Sequence, residues 1–308
     1  VRSCAWTNWP VQVGHCWPDL NCEGNVLSHR KPGYTAGKIP MGGGMLTLYD
    51  GTTSVCAIKV RLALHEKGVQ FQSHNIDLRA GDQFDPDYLN LNPNAVVPTL
   101  LDGEAVILES SVILHYVDDT HPEPTLLPLD AHARARMRLW MKRVDDIVHP
   151  SIGSLTHATA YRPGFLNLDE ESRVERLAKI PDENRRSRFT AVYEQGLEAP
   201  VVIGAVKAVN TLMRDMESAL AETEFLAGPA YSLADCAVTP YAHRLFDLGL
   251  LGLRAVDCPD LFRWYGAIRE RANFAPAITD YLTEADRALF NNMDAETPGK
   301  VKAILDTG

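Results

Sequence analysis

Residues 92–113 read Asn92-Pro93-Asn94-Ala95-Val96-Val97-Pro98-Thr99-Leu100-Leu101-Asp102-Gly103-Glu104-Ala105-Val106-Ile107-Leu108-Glu109-Ser110-Ser111-Val112-Ile113. A turn punctuated by Pro and Asn opens this stretch. Two apolar runs, Thr99–Leu101 and Ala105–Leu108, then flank an Asp102-Gly103 turn, as in a hairpin, and Glu109 starts a helix reaching Asp119. Upstream, Met45–Tyr49 reads as a strand. Val55–Lys67 reads as an amphipathic helix with apolar residues at 55, 58, 62 and 63, stopped by Gly68, and Val69–Leu78 as a second strand. A crossover helix makes those two strands a parallel pair. A short helical stretch near Asp87–Leu91 precedes the hairpin. The order is therefore βαβ followed by ββα.

Working outward, His121-Pro122-Glu123-Pro124 through Pro128 forms a linker over 121–129. Beyond it the pattern is helical over 130–149, 190–222, 232–249, 259–272 and 276–290. Ser232-Leu233-Ala234-Asp235 has the form of a capping box. Residues 163–189 read as a charged insertion. Within it Arg185-Arg186-Ser187-Arg188 is flanked by Asp182, Glu183 and Glu194, and so reads as a solvated face. The expected organisation is an extension over 1–44, an α/β domain over 45–120, the linker, a helical domain over 130–290 and a tail over 291–308. Residues 1–44 are rich in Gly, Pro, Cys and Trp, lack any period, and end in Met41-Gly42-Gly43-Gly44-Met45. They read as a disordered or artefactual extension. The alternative is a metal-binding arm on Cys4, His15, Cys16 and Cys22, which a deletion of 1–44 would test.

The chain has 308 residues, with 40 acidic against 30 basic side chains and a net charge of −10. That balance repels nucleic-acid phosphates and anionic membrane surfaces. No apolar run approaches the roughly 18 to 20 residues that span a bilayer. The six cysteines show no CxxC and no zinc-ligand spacing. A soluble, cytoplasmic, metal-free protein is expected, without nucleic-acid or membrane partners.

Phosphate-loop, dinucleotide, zincin and nucleophile-elbow templates are missing from the sequence. Three polar anchors remain, and the βαβ–ββα order brings them to one edge: Thr52-Thr53-Ser54, Val97-Pro98 and Glu109-Ser110-Ser111. Each has an ordinary reading, as an N-cap, a turn and a helix start. Each also has a chemical one. Ser54 at a helix N-terminus could donate to a thiolate held there. Lowering a thiol pKa by about two units needs about 2.7 kcal/mol. The helix dipole offers roughly 0.3 to 1 kcal/mol and a hydrogen bond to a charged partner about 1.5 to 3. Together they suffice. Val97 could pair through its backbone with an extended peptide. Ser110 could grip a carboxylate while Glu109 pairs with an ammonium group. An amino-acid head, a peptide middle and a thiol describe a small cysteinyl peptide.

Over residues 45–290 the chain resembles the cytosolic glutathione transferases. The motifs are Leu48-Tyr49, Ser54 to Leu64, Asn92 to Pro98, Leu108 to Ile113 and Ser232 to Asp235. The resemblance implies a thioredoxin-like βαβ-ββα domain followed by an all-helical domain, glutathione as co-substrate, and a homodimer. It implies Ser54 as the catalytic serine, Val97-Pro98 as a cis-proline step, Glu109 and Ser110 at the γ-glutamyl end, and Gln83 near the glycyl end. Ala95 departs from the family's usual Gly or larger polar residue. Ser54-Val55-Cys56 replaces the Ser-Ser-Cys of zeta enzymes, which counts against maleylacetoacetate isomerisation. Cys56 reads as a side chain packed on its helix, since thiol-reductase members carry Cys at the position of Ser54. The helix Arg134 to Asp146 and the insertion resemble the bacterial β-etherase branch, which cleaves lignin aryl ethers with glutathione. The partner is then a small hydrophobic electrophile, with His157, Tyr161 and Arg162 as polar candidates near its pocket. The rivals are a non-catalytic binding protein of the same fold and a zeta-like isomerase.

Overall fold

The computed structural model describes residues 45–307; the candidate arm on Cys4, His15, Cys16 and Cys22 lies outside them. Strand β1 (Leu46–Asp50) alternates buried Leu46, Leu48 and Asp50 with half-buried Thr47 and Tyr49. It lies beside β2 (Phe71–Asn75) in parallel and beside β3 (Thr99–Asp102) antiparallel, and β4 (Ala105–Ile107) completes the order β2-β1-β3-β4. Asp102 pairs with Ala105, so the hairpin turn is Gly103-Glu104, one residue later than expected. Gly103 supplies the positive φ of 59° that such a turn requires. A short helix α2 (Pro86–Leu91) precedes β3.

Helix α1 (Val55–Glu66) is buried on two sides. Val60 and Leu64, four apart, join Leu48 and Leu100 and, from α3 (Ser110–Thr120), Ile113 and Val117 in the core under the sheet. Val55, Ile58 and Leu62 form a second stripe, which enters the larger core of the helical half. One helix thus belongs to both layers.

The helical half starts with α4 (Ala131–Arg143). The helix passes through a wide π turn, Val144–Val148, into α5 (His149–Thr156), and through a second, His157–Tyr161, into α6 (Arg162–Leu166). The charged insertion folds as α7 (Glu170–Ala178) and α8 (Glu183–Gln195), started by the side-chain caps Asp169 and Asp182. The single helix expected over 190–222 is broken. Gly196 takes φ 60°, Pro200 opens α9 (Pro200–Leu220), and the chain turns by 77°. Helix α10 (Leu233–Asp247) carries the capping box of Ser232 and Asp235, and α11 (Pro259–Arg269) follows. The helix expected over 276–290 divides into α12 (Phe274–Ala277) and α13 (Glu284–Asn291), because Thr283 and Asp286 form a second capping box. Helix α14 (Thr297–Asp306) lies in the stretch read as a tail. No single helix among the described residues is long and apolar enough to cross a membrane.

Candidate active site

Ser54 is the N-cap of α1, and its Oγ accepts from the Ala57 N–H at 3.2 Å. A hydroxyl has two lone pairs and one proton. Capping therefore uses an acceptor site and leaves the proton for another oxygen or sulfur, so the ordinary and the chemical reading of Ser54 coexist. The turn before it is held by the Ser54 N–H on the Gly51 carbonyl at 3.0 Å.

The register fixes the second anchor. Tyr49 lies opposite Thr99, so the Val97–Pro98 peptide, which is cis, lies just past the end of β1 beside the turn that leads to Ser54. Neither the N–H nor the C=O of Val97 makes a hydrogen bond among the described residues. The third anchor opens α3. Glu109 precedes the helix with φ 67°, a backbone strained by about 1 to 3 kcal/mol for a non-glycine residue. Ser110 is buried, and its Oγ accepts from Lys59 Nζ at 3.2 Å. Lys59 is wholly buried and also reaches Asp145 Oδ1 at 2.9 Å. It therefore ties α1 to the α3 start and to the π turn after α4. Gln83 stands in a 3-10 turn, its Nε2 on the Leu78 carbonyl at 3.4 Å and its Oε1 buried without a partner.

The helical-half candidates separate. The Tyr161 hydroxyl meets Thr53 Oγ1 at 3.1 Å, one residue before Ser54. His157 stacks on Phe189 with centroids 4.1 Å apart, and its Nδ1 lies 2.6 Å from the Tyr193 hydroxyl. Burial, and then the charges of Arg188, Arg244, Arg176 and Arg185, pull the His157 pKa to about 3, which keeps the ring neutral. Arg162 donates to the carbonyls of Tyr193 and Glu194, at 2.9 and 3.0 Å, and so holds the end of α8.

Cys56 corrects the sequence reading. It is not merely packed on its helix: Sγ lies 3.4 Å from His149 Nδ1 and 3.7 Å from the Tyr241 hydroxyl. Burial alone would raise its pKa. The charges of His149 and Lys59, with hydrogen bonds from His149 and Tyr241, outweigh burial and bring it to about 6. The thiolate in turn raises His149. His149 stands directly after the π turn, where the extra residue re-aims the following side chains; such turns recur at functional sites. Lys59, one turn beyond Cys56, was the local signal in sequence; His149, 93 residues away, had none.

Comparisons with known proteins place the chain in a family. Residues 53–120 match the model of the glutathione S-transferase N-terminal domain and residues 175–267 that of its C-terminal domain, together more than half of the chain. The chain belongs to the glutathione S-transferase family. Glutathione S-transferase Z1 of Arabidopsis thaliana is 47% identical over 90 residues, which are 29% of this chain and 41% of that protein. The chain thus matches about two fifths of the length of that zeta-class relative. Two others are matched over 95% of their length: the tetrachloro-p-hydroquinone reductive dehalogenase of Sphingobium chlorophenolicum, 28% identical over 75% of this chain, and Protein LigF of Sphingobium sp. strain SYK-6, 27% identical over 79%. The crystal structure of β-etherase LigF superposes with a TM-score of 0.70 at 24% identity, covering 76% of this chain and 98% of that one. This transferase-family chain has a thioredoxin-like domain and an all-helical domain, as that structure does. Among its described residues there is no group of three or more His, Cys, Asp or Glu that could hold a metal.

Proposed function

We propose that the protein is a glutathione-dependent transferase. The tripeptide is held along Val97, between Glu109–Ser110 and Gln83, with its sulfur beside the Ser54 hydroxyl. The observation that carries this reading is the spare Ser54 proton at the start of α1, next to a Val97 peptide whose N–H and C=O are unpaired. Ser54 donates to the thiolate, and the sulfur attacks an electrophilic carbon while the leaving group departs. For an α-aryloxy ketone the C–S bond forms, the C–O bond breaks, and the phenolate leaves. The likeness to LigF over most of both chains supports that substrate. Since phenolate is an adequate leaving group, positioning and thiolate stabilisation are the main requirements.

Ser54→Ala is expected to lower kcat about tenfold to a hundredfold, the range for losing a hydrogen bond to a charged partner. Glutathione affinity should change little. Steady-state kinetics with an aryl halide and an α-aryloxy ketone check this: unchanged turnover would count against the Ser54 role, and no glutathione-dependent product from the wild type would favour a binding protein. A homodimer through α3 and α4 fits the exposed Val112 and Leu139, and a groove of about 270 Å³ runs between these helices.

The Cys56–His149–Tyr241 contact favours a second activity, thiol–disulfide exchange. The Cys56 thiolate attacks one sulfur of glutathione disulfide, forms a mixed disulfide and expels a glutathione thiolate. Peptide mass spectrometry after incubation with the disulfide should show a glutathionyl group on Cys56, formed much more slowly in His149→Ala.

A further inference from the structure

The insertion carries Arg173 and Arg176 on α7 and Arg185, Arg186 and Arg188 on α8, in a chain of net charge −10. Among the described residues none of these guanidiniums forms an ion pair with a carboxylate. Glu175 of α7 pairs with Lys179 instead. The hydrogen bonds they do make go to backbone: Arg176 to the Leu78 carbonyl at 3.3 Å, Arg185 to Asn94 at 3.1 Å and Arg186 to Ile180 at 2.9 Å. Arg173 Nε and Arg188 Nε are buried without a partner. Asp182 lies within electrostatic reach of Arg185 and Arg188, but its carboxylate caps α8 on the Arg185 N–H. Burial pulls both arginines below their ordinary pKa, the signature of guanidiniums short of counter-charge.

The expected solvated face is therefore corrected. Arg185, Arg188, Phe189 and Val192 recur at helical spacing, and none of the four is exposed. Arg176 and Arg185 land on Leu78 and Asn94 of the thioredoxin-like half, beside Gln83 and Val97. Arg188 lies over Phe189, 5.4 Å from the ring centroid, and Phe189 stacks on His157. His157 meets the edge of Tyr161, which bonds Thr53. The Arg188 charge is felt both at His157 and at His149, the partner of Cys56. Arg188 thus touches the aromatic group and is within electrostatic reach of His149.

We propose that the acceptor side of the cleft is built for an aromatic anion, an aryl group bearing a carboxylate or phenolate. Its ring packs on the Phe189–His157–Tyr161 wall, and its charge is taken by Arg188, supported by Arg176 and Arg185. Arg188 is a specificity-determining residue, and the inference rests on the glutathione-transferase reading above. Guanidinium suits the role because its planar fork meets a carboxylate with two hydrogen bonds.

The test is equilibrium binding, by calorimetry on the full chain, of glutathione and two of its conjugates, S-(2,4-dinitrophenyl)glutathione and S-(4-carboxy-2,6-dinitrophenyl)glutathione. The wild type should bind the carboxylated conjugate about tenfold or more tightly than the neutral one, as a charge-assisted hydrogen bond allows. Added salt should erode that preference selectively. Arg188→Gln should abolish the preference and leave glutathione and the neutral conjugate within about twofold, and Arg188→Lys should restore part of it. Equal wild-type affinities for the two conjugates would overturn the inference. An equal loss for both conjugates and for glutathione in Arg188→Gln would also overturn it, by assigning Arg188 to the tripeptide. If glutathione itself does not bind, the transferase reading falls and this one with it. If glutathione and both conjugates bind alike, only this inference falls. The wild-type comparison and its salt dependence need no variant to fold.

Discussion

Ser54 and Cys56 are two residues apart on the first turn of one helix, yet they face different partners. The Ser54 hydroxyl accepts from the Ala57 N–H and donates to no group among the described residues, whereas Cys56 is engaged by His149 and Tyr241. The consequence can be read as a pH profile. A thiol reacts as its anion, so alkylation of Cys56 by iodoacetamide should rise with pH and reach half its plateau near pH 6. His149→Ala removes the largest charge opposing burial, so the inflection should climb from about 6 toward the ordinary thiol range. Peptide mass spectrometry of the alkylated residue measures this. An inflection still near pH 6 in the variant would show that Lys59 alone suffices. His157 contrasts with His149. Arginine charges and burial hold it neutral at any pH where the protein would be assayed, so His157→Gln should leave the shape of the profile unchanged.

At the scale of elements, the break at Gly196 decides where α8 points. Its φ of 60° is open to glycine, and a Cβ there would lie 3.3 Å from Arg162 Nε, the side chain that binds the last carbonyls of α8. Gly196→Ala should cost about 1 to 2 kcal/mol in urea unfolding and loosen the end of α8 in amide exchange. Neutral stability would mean the bend is set by Pro200 instead. Several elements were legible because they carry their own punctuation: Gly68 after α1, Pro93 and Pro98 within residues 92–98, and the capping box of Ser232 and Asp235 at the start of α10. The two π turns were not. The apolar pattern runs on through Val144 and Val148, and an added residue per turn changes direction without changing composition. The arginine segment was half legible. Its neighbours suggested charge balance, while the spacing of Arg185, Arg188, Phe189 and Val192 already encoded an inward face.

Across the whole molecule the two halves are joined through Arg61, wholly buried on α1. Its guanidinium bonds Asp50 at 3.1 Å, the carbonyls of Gly51 and Thr52 in the turn before Ser54, and the Ala277 carbonyl of α12 at 2.8 Å, and it stacks 3.9 Å from the Tyr281 ring centroid. Removing one member of such a buried set strands the other, so Arg61→Met should cost about 3 to 5 kcal/mol in urea unfolding. A variant of unchanged midpoint would show that the halves are held without this guanidinium. No local pattern predicts this join, because its partners come from positions 50, 51, 52 and 277 and meet only once the chain has folded.

Helices α7 and α8 are fastened differently. They leave the main bundle at α6, return through the 77° corner at Gly196, and touch the opposite half through arginine contacts to the carbonyls of Leu78 and Asn94. Residues 170–195 therefore form a cassette whose outer ends share one hinge region, while Ser54 and Cys56 lie at the start of α1. On the acceptor proposal made for Arg188, a graft of that cassette into a related chain is expected to shift the preferred acceptor while Ser54 and Cys56 stay in place.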